Sequence, residues 1–262
     1  MNDIPNADEV SVGGAAAARP VGHDGTRVVI EERTAWTMSG ALALLLGLVL
    51  LGLATWGIVT TAIADEAGGE VNGLVVFASI LAFVVGSVIF SSLTVVAPGD
   101  TKVLQFFGKY VGTIRKQGLL LTIPLTTKKK VSVKVRNFET NELKVNDADG
   151  NPINIAAIVV WQVADTAKSV FAVEQYEDFV TVQAESALRH VASSHPYDFA
   201  DAGEESLRGS TDLVSRELAE EVAARITIAG LEVVETRISS LAYAAEIAHA
   251  MLQRQQASAV LA

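Results

Sequence analysis

The sequence contains no cysteine. Disulfide bonds, cysteine-liganded zinc, thiol nucleophiles and palmitoylated-cysteine anchors are therefore excluded. Charged residues are scarce as well: they make up 19% of the chain, against about 25% in a typical soluble globular protein. The excess of apolar residues is concentrated between Met38 and Leu93, and this concentration predicts a membrane anchor.

Within that region, two stretches carry no charge at all. They run from about Met38 to Ala64 and from about Val71 to Leu93. Spanning the hydrocarbon core of a bilayer takes about 20 helical residues, so each stretch is long enough alone. A buried core helix would be shorter or would show a polar face. The sequence therefore predicts a transmembrane helical hairpin over residues 36–93.

Lysine and arginine are absent from the acidic link between the two stretches, residues 65–70, but present on both outer flanks. Positively charged flanks remain in the cytoplasm. We therefore expect a multi-pass protein of the cell (plasma) membrane with its N-terminus and following domain in the cytoplasm. Residues 1–35 show no apolar period and are predicted to form a disordered tail.

Beyond Thr94 the pattern becomes β and then helical. Short apolar runs alternate with Gly, Pro and Asp-Gly turns, including the hairpin signal at residues 147–151. After Asp165 the apolar period is helical, and a predicted helix ends at Gly230. We expect an α+β domain with an antiparallel β-sheet and packed helices. A strand over residues 231–238 is expected to precede a last, Ala-rich helix that begins near Ala242.

These elements, in this order, resemble the stomatin/prohibitin/flotillin/Hfl family, called SPFH or Band 7. The resemblance covers about Thr94 to Ala262. The residues that carry it are Val95-Val96-Ala97-Pro98-Gly99, Gly108, Gly118-Leu119, Pro124, Asp149-Gly150-Asn151, Trp161-Gln162-Val163-Ala164-Asp165, Arg189, Gly230, Ile238, Glu246 to Met251 and Gln255-Gln256-Ala257.

The resemblance implies an SPFH domain over residues 94–239 and the start of a coiled-coil-type helix over residues 240–262. It also implies a non-enzymatic membrane scaffold that assembles into a large homo-oligomeric ring or cage and organises a membrane microdomain. The alternative is a regulatory subunit of a membrane AAA protease or another membrane quality-control complex, with that protease or another membrane protein as client. Two features differ from many relatives: there are two full-length spans, and the sequence ends inside the last helix.

We found no pattern of residues that predicts catalysis, a cofactor or a metal site. His190 and His195 are five residues apart, which does not place them on one helical face. Residues 147–151 begin like a calcium loop, but Pro152 and Ile158 stand where such a loop needs Gly and Glu. We therefore expect a protein without enzymatic activity.

Basic residues cluster directly after the second span. Residues 100–138 contain nine Lys or Arg and one acid, whereas residues 139–262 contain eight bases and twenty acids. Anionic head groups attract basic side chains near a membrane by about 1 kcal/mol each. The candidates for lipid contact are Lys128, Lys129, Lys130, Arg115 and Lys116. Nucleic acid is not expected as a partner, because the net charge of the chain is -10.

The last predicted helix offers small apolar side chains for close approach of a neighbouring helix. Its apolar strip recurs at roughly helical spacing. The candidates for the contact between copies are Leu241, Ala245, Ala248, Leu252 and Ala259. We expect this strip to pack on the same helix of the next copy, giving a head-to-tail contact that can close into a ring.

Overall fold

The computed structural model describes residues 30–198 and 205–247. They fall into two compact units. The hairpin unit contains residues 30–136 and 162–176, and the second unit contains residues 137–161, 177–198 and 205–247.

The hairpin unit contains two long apolar helices, α1 (Gly40–Glu66) and α2 (Gly73–Ser92). The side chain of Asn72 caps α2 by accepting a hydrogen bond from the backbone N–H of Leu74 at 3.1 Å. The most apolar 18 residues of α1 and α2 have mean hydropathies of 2.5 and 2.6, and only 22% and 11% of them are buried. A core helix of a soluble protein would be mostly covered, so these helices match the predicted apolar hairpin.

Small residues lie where α1 and α2 touch. Gly57 packs so closely on Ser79 that a Cβ atom at Gly57 would lie 2.0 Å from the Ser79 hydroxyl. That hydroxyl is itself bound to the Val75 carbonyl at 2.8 Å. A Cβ atom at Gly86 would lie 3.1 Å from the Leu51 side chain. In lipid such close approach is a main source of helix–helix attraction, so the small residues stabilise the hairpin itself.

Two three-stranded antiparallel sheets complete most of this unit. One sheet has the order β1 (Met38–Ser39), β5 (Gly118–Leu121), β2 (Leu93–Val96), and the other has β4 (Lys109–Ile114), β3 (Asp100–Phe106), β6 (Thr126–Ser132). The short helix α3 (Thr166–Phe171) is capped by the Asp165 side chain, which accepts from the Lys168 N–H. The buried side chains of Val96, Leu104, Ile114 and Leu120 form a common core.

The second unit combines a four-stranded sheet with two helices. The strands are β7 (Arg136–Glu139), β8 (Leu143–Asn146), β9 (Pro152–Val163) and β10 (Leu231–Tyr243). Their order is β10-β9-β7, with β8 also paired to β9. The helices are α4 (Tyr176–Ser194) and α5 (Thr211–Ile226), and a 3-10 turn (Thr227–Ala229) ends at Gly230, which has a φ of 69°.

This arrangement confirms the predicted α+β fold, but the predicted boundary between the last strand and the last helix was wrong. Strands β4 and β7 were missed in the sequence. Strand β10 continues to Tyr243, so Leu241 lies in a strand and not on the last helix.

Tertiary contacts explain why β10 continues to Tyr243. The ring of Tyr243 stacks on Tyr197 at 3.9 Å between centroids, and the N–H of the buried Ala244 donates to the Pro152 carbonyl at 2.9 Å. These contacts hold the alanine-rich segment extended despite its high helix propensity.

A bulky residue at Gly57 should open the hairpin. Gly57→Leu forces α1 and α2 apart at Ser79. We expect the free energy of unfolding to fall by about 1–3 kcal/mol, the usual cost of overpacking. Gly52→Leu is the matched control, since nothing lies within 4 Å of a Cβ atom there. Thermal unfolding of the detergent-solubilised variants measures the difference. Equal melting temperatures for both variants would contradict the packing described.

Candidate functional site at the base of the apolar hairpin

Both apolar helices join the folded unit without a linker. Strand β1 ends at Ser39 and α1 begins at Gly40, while α2 ends at Ser92 and β2 begins at Leu93. Strands β1 and β2 both pair with β5, where Leu121 lies opposite Met38 on one side and Leu93 on the other. The base of the hairpin is therefore fixed in one sheet.

The C-terminal end of α2 leaves carbonyl groups without intrahelical donors, as every helix does. Here Thr122, directly after β5, and Lys128 of β6 supply the donors. The Ser92 carbonyl accepts from the backbone N–H of Thr122 at 3.0 Å and from its hydroxyl at 2.9 Å. The Lys128 ammonium donates to the carbonyls of Ser91 and Leu93 at 3.2 and 3.3 Å.

Lys128 also adds positive charge at the negative end of a helix dipole, which is a favourable position. Burial, together with the nearby charge of Lys102, lowers the pKa of Lys128. Lys102 donates to the Thr94 hydroxyl at 2.7 Å. The two lysines therefore lie at the exit of α2.

The other lysines predicted to contact lipid have different surroundings. Lys130 pairs with Asp100 at 2.9 Å, and the hydrogen bond from Lys130 lowers the pKa of Asp100. The Lys130 side chain nevertheless remains 64% exposed. Lys116 and Lys129 are exposed.

Arg115 is bound by acceptors of the hairpin unit itself. It forms a bidentate pair with Glu32, with Nε–Oε1 at 2.6 Å and Nη2–Oε2 at 2.8 Å, and it donates to the Ala164 carbonyl at 2.6 Å. Three hydrogen bonds leave this guanidinium little freedom for a head group. Among the five candidates it is the weakest for lipid contact.

Glu32 also binds the start of α3. Its Oε2 accepts from the backbone N–H of Thr166 at 2.8 Å and from the Thr166 hydroxyl at 3.0 Å. Burial by itself would raise the pKa of Glu32, but the hydrogen bonds and charge of Arg115, with those of Thr166, outweigh it and lower the pKa.

Glu32 belongs to a short segment, residues 32–35, that lies along β4. The N–H of Ala35 donates to the Thr113 carbonyl at 3.0 Å, and the Thr113 N–H donates to the Arg33 carbonyl at 2.7 Å. Thr34 and Thr113 form a parallel bridge. This segment, which we term the strap, was predicted to be part of a disordered tail. Backbone hydrogen bonds and one carboxylate hold the strap in place. Such contacts leave no apolar period in the sequence.

Two turns at one end of the β4-β3-β6 sheet expose large apolar side chains, a feature that sequence reasoning missed. Phe107 is 83% exposed, Leu125 69% and Phe106 40%. Phe106 and Lys109 are paired, so Phe107-Gly108 forms a two-residue hairpin turn. Since Phe106 also pairs with Thr126, Leu125 lies next to that turn. We term Phe106, Phe107 and Leu125 the apolar tip.

The backbone of both turns is strained. Phe107 and Leu125 have φ values of 46° and 58°, and no other non-glycine residue of the described chain has a positive φ. Such values are unfavourable for bulky side chains and usually belong to Gly, Asn or Asp. Strain of this kind clusters at functional positions. The Phe-Phe-Gly and Pro-Leu-Thr sequences were the features of the sequence that could have indicated these two turns.

The chain path brings the tip back towards the hairpin. Strand β2 leads away from α2, and after the turn at residues 97–99 strand β3 returns. Lys102 contacts Thr94, and Lys128, the partner of Leu104, contacts Ser91 and Leu93. Phe106 lies two residues beyond Leu104, about 7 Å further along the strand. The apolar tip therefore lies near the last turn of α2.

The predicted contact strip between copies is only partly within the described residues. Leu241 lies in β10, and Ala245 begins the helical residues 245–247. Lys144 of β8 forms an ion pair with Glu246 at this helix start. Ala248, Leu252 and Ala259 lie outside the described residues.

No group of three His, Asp or Glu side chains that could hold a metal ion occurs within residues 30–198 and 205–247. His195 is hydrogen-bonded to Glu217 at 2.6 Å. Asp147, which begins the calcium-like turn, accepts from the Asn151 N–H at 2.7 Å and the Tyr197 N–H at 3.2 Å. Its carboxylate thus stabilises local backbone.

Comparison with known proteins gave one family. The model of the SPFH domain / Band 7 family matches residues 94–261. A search of curated proteins found no match to this chain.

Glu32→Gln should loosen the strap. The substitution removes the negative charge that Arg115 and the start of α3 both bind, so amide hydrogen exchange at Ala35 and Thr113 should accelerate at neutral pH. Glu31→Gln is the matched control, because Glu31 is exposed.

The pH dependence has a definite sign. The folded pKa of Glu32 is lowered, so its contribution is complete above the ordinary glutamate pKa of about 4.3 and is lost as the pH falls below it. Exchange rates in the wild type and in Glu32→Gln should therefore converge in acid. A wild-type strap that stays equally protected through that range would contradict the role of the carboxylate.

Proposed function

Since the chain belongs to the SPFH domain / Band 7 family, we propose that it is a non-enzymatic scaffold that oligomerises and organises a patch of membrane. Proteins of this family are generally membrane-associated scaffold or regulatory proteins that oligomerise. The observation that carries the proposal is the direct joining of both apolar helices to one sheet at β5. A linker would let the domain diffuse away from the bilayer, whereas this junction holds it at the surface.

The two helices span the bilayer in this proposal. Because the strap and strands β2 to β6 belong to one folded unit, both ends of the hairpin lie on the same side. The link at residues 67–72 then lies on the other side. The lysines and arginines flanking the hairpin favour the cytoplasm for the folded side, in the cell (plasma) membrane.

The apolar tip inserts into the lipid of the same leaflet. Exposed Phe and Leu side chains gain about 1.5–3 kcal/mol each when they are buried in an apolar medium. Lys116, Lys129 and Lys130 are exposed in the same unit, and each basic side chain near anionic head groups adds about 1 kcal/mol. The ammonium of Lys128 instead binds the carbonyls at the end of α2. An apolar wedge with basic neighbours is the usual chemistry of interfacial binding. Arg115 supports the strap instead.

Single-cysteine variants test orientation and depth together, because the native chain has no cysteine. An impermeant thiol reagent added to intact cells should label Gly68→Cys and should not label Thr127→Cys. A polarity-sensitive fluorophore on Phe107→Cys in anionic vesicles should emit as in an apolar medium. Val135→Cys is the matched control, because Val135 is also exposed but lies beyond the opposite end of β6. The fluorophore at that position should emit as in water. Labelling of Thr127→Cys from outside would overturn the orientation, and equal emission at positions 107 and 135 would overturn insertion.

Assembly is proposed to run through the last helix. The strip of Ala245, Ala248, Leu252 and Ala259 remains a candidate contact between copies, although Leu241 now belongs to β10. An alanine-rich helix has little apolar bulk to bury alone and gains most from a close neighbour. Copies joined head to tail in this way can close into a ring or cage.

Deleting residues 248–262 should leave a folded, membrane-bound protein that no longer forms large particles. The deletion keeps β10, Ala244 and the Lys144–Glu246 ion pair. Particle images and sedimentation of the detergent-solubilised full chain and the deletion variant give the comparison. Large particles from the deletion variant would place assembly elsewhere. A stoichiometric membrane AAA protease in the particles would instead support the alternative, a regulatory subunit of a protease complex.

A further inference from the structure

Strand β10 is an unusually long edge strand. It has 13 residues, against about five or six in a typical strand. Within the described residues it pairs with β9 on one side and has no strand on the other. An open edge presents a row of backbone donors and acceptors to any extended chain, and proteins usually shorten or cover such edges.

A groove follows that edge. Five consecutive residues, from Val234 to Ile238, line a groove of about 520 Å³ together with α5 residues between Thr211 and Ala219. A second groove, of about 250 Å³, is lined by the next residues of β10 up to Leu241. Successive side chains of a strand point to opposite faces. A groove that touches every residue in turn must therefore run along the edge of the strand.

The charges in the groove are balanced. Glu235 and Arg237 of β10 form an ion pair, and Asp212 and Arg216 of α5 also line the groove. Two acids and two bases do not favour an anionic head group or a polyanion. A partner with equal numbers of acidic and basic side chains can pair with this groove. The best candidate for such a partner is a second copy of the chain.

We propose that β10 of one copy pairs antiparallel with β10 of a second copy, around a two-fold axis at Thr236. This register places Glu235 opposite Arg237 of the other copy, twice by symmetry. It also places Val234 opposite Ile238, again twice. Opposite charges and apolar pairs directly across two strands each stabilise a sheet by about 0.2–1 kcal/mol.

Neighbouring registers are poorer. A slip by one residue places Glu235 opposite Thr236 or Ile238, so the charge pairs are lost. A slip by two residues places either Glu235 opposite Glu235 or Arg237 opposite Arg237. The sequence of the edge therefore selects one register.

Thr236 can lie at the centre of such a pair because its side chain faces α5. It is only 4% exposed, and its hydroxyl donates to the Ser215 carbonyl at 2.5 Å. The side chain is thus held away from the edge, and the two backbones can approach to the usual spacing of about 4.8 Å. A two-fold contact closes at two copies, so it makes a dimer.

The inference goes beyond the proposed function, because a two-fold contact joins copies in pairs and is separate from the head-to-tail contact proposed for the ring. Both copies are anchored in one bilayer, so the two-fold axis must run along the membrane normal. The test is therefore made on the full chain in its membrane, in which the absence of native cysteine allows specific cross-linking.

Two differently tagged chains, one with Glu235→Cys and one with Arg237→Cys, are co-expressed and oxidised in the membrane. Directly opposite residues have Cβ atoms about 4.5–5.5 Å apart, close enough for a disulfide after small shifts. We expect a strong cross-link between the two tags. The matched control pairs Glu232→Cys with Arg237→Cys; these positions lie three residues, about 10 Å, out of register. A cross-link that is absent, or equally strong in the control, overturns the proposal.

Charge reversal gives an independent readout. Glu235→Arg or Arg237→Glu alone turns two attractive cross-strand pairs repulsive, and the dimer dissociation constant should rise about tenfold. The double exchange Glu235→Arg/Arg237→Glu restores both pairs and should restore the dimer. Single variants that dimerise like the wild type, or a double variant that does not recover, overturn the register.

Failure here is distinguishable from failure of the proposed function. Large particles without a β10 cross-link would contradict the β10 contact but not the proposed scaffold. A β10 cross-link in a protein that forms only dimers would support the contact and contradict the proposed ring.

Discussion

The carbonyl groups at the end of α2 are the constraint on which the hairpin unit depends. If α2 spans a bilayer, as proposed, its last carbonyls must be satisfied at a depth where water is scarce, since an unpaired polar group in an apolar medium costs several kcal/mol. Here Thr122 and Lys128 provide the donors to Ser91, Ser92 and Leu93. Strands β5 and β6 must therefore lie directly beneath the helix, and the sheets take their position from that requirement.

The position of β6 then decides what the unit can present to a membrane. Because β6 pairs with β3, placing Lys128 at the helix end also places the turns at Phe107 and Leu125 beside it. Those turns keep bulky apolar residues at positive φ, a conformation that a glycine would adopt at lower cost. A surface that faced only water would gain nothing from that strain. The lipid contact proposed for these turns would offer a gain that offsets it.

Sequence reasoning could predict the features that depend on composition and period. The apolar helices, the α+β fold and the order of most strands followed from runs, alternation and turn residues. The strap could not be found this way, because Glu32 acts through a pair with Arg115 that is 83 residues away. The extent of β10 was also hidden: helix propensity favours a helix at Ala242, but stacking of Tyr243 on Tyr197 and the bond from Ala244 to Pro152 favour a strand. Long-range contacts leave no local period.

The proposed lipid contact and the proposed self-association draw on residues of different units and on different physical forces. The apolar tip and the exposed lysines belong to the hairpin unit, whereas β10 and α5 belong to the second. Apolar insertion is largely insensitive to salt, while the Glu235–Arg237 pairing proposed across two copies weakens as salt screens exposed charges. Tethering in a membrane raises the effective concentration of copies, so a contact too weak to form in solution can still form there. A charge-balanced strand edge suits such an assembly, because it can select the register of its partner without holding single copies together before they reach the bilayer.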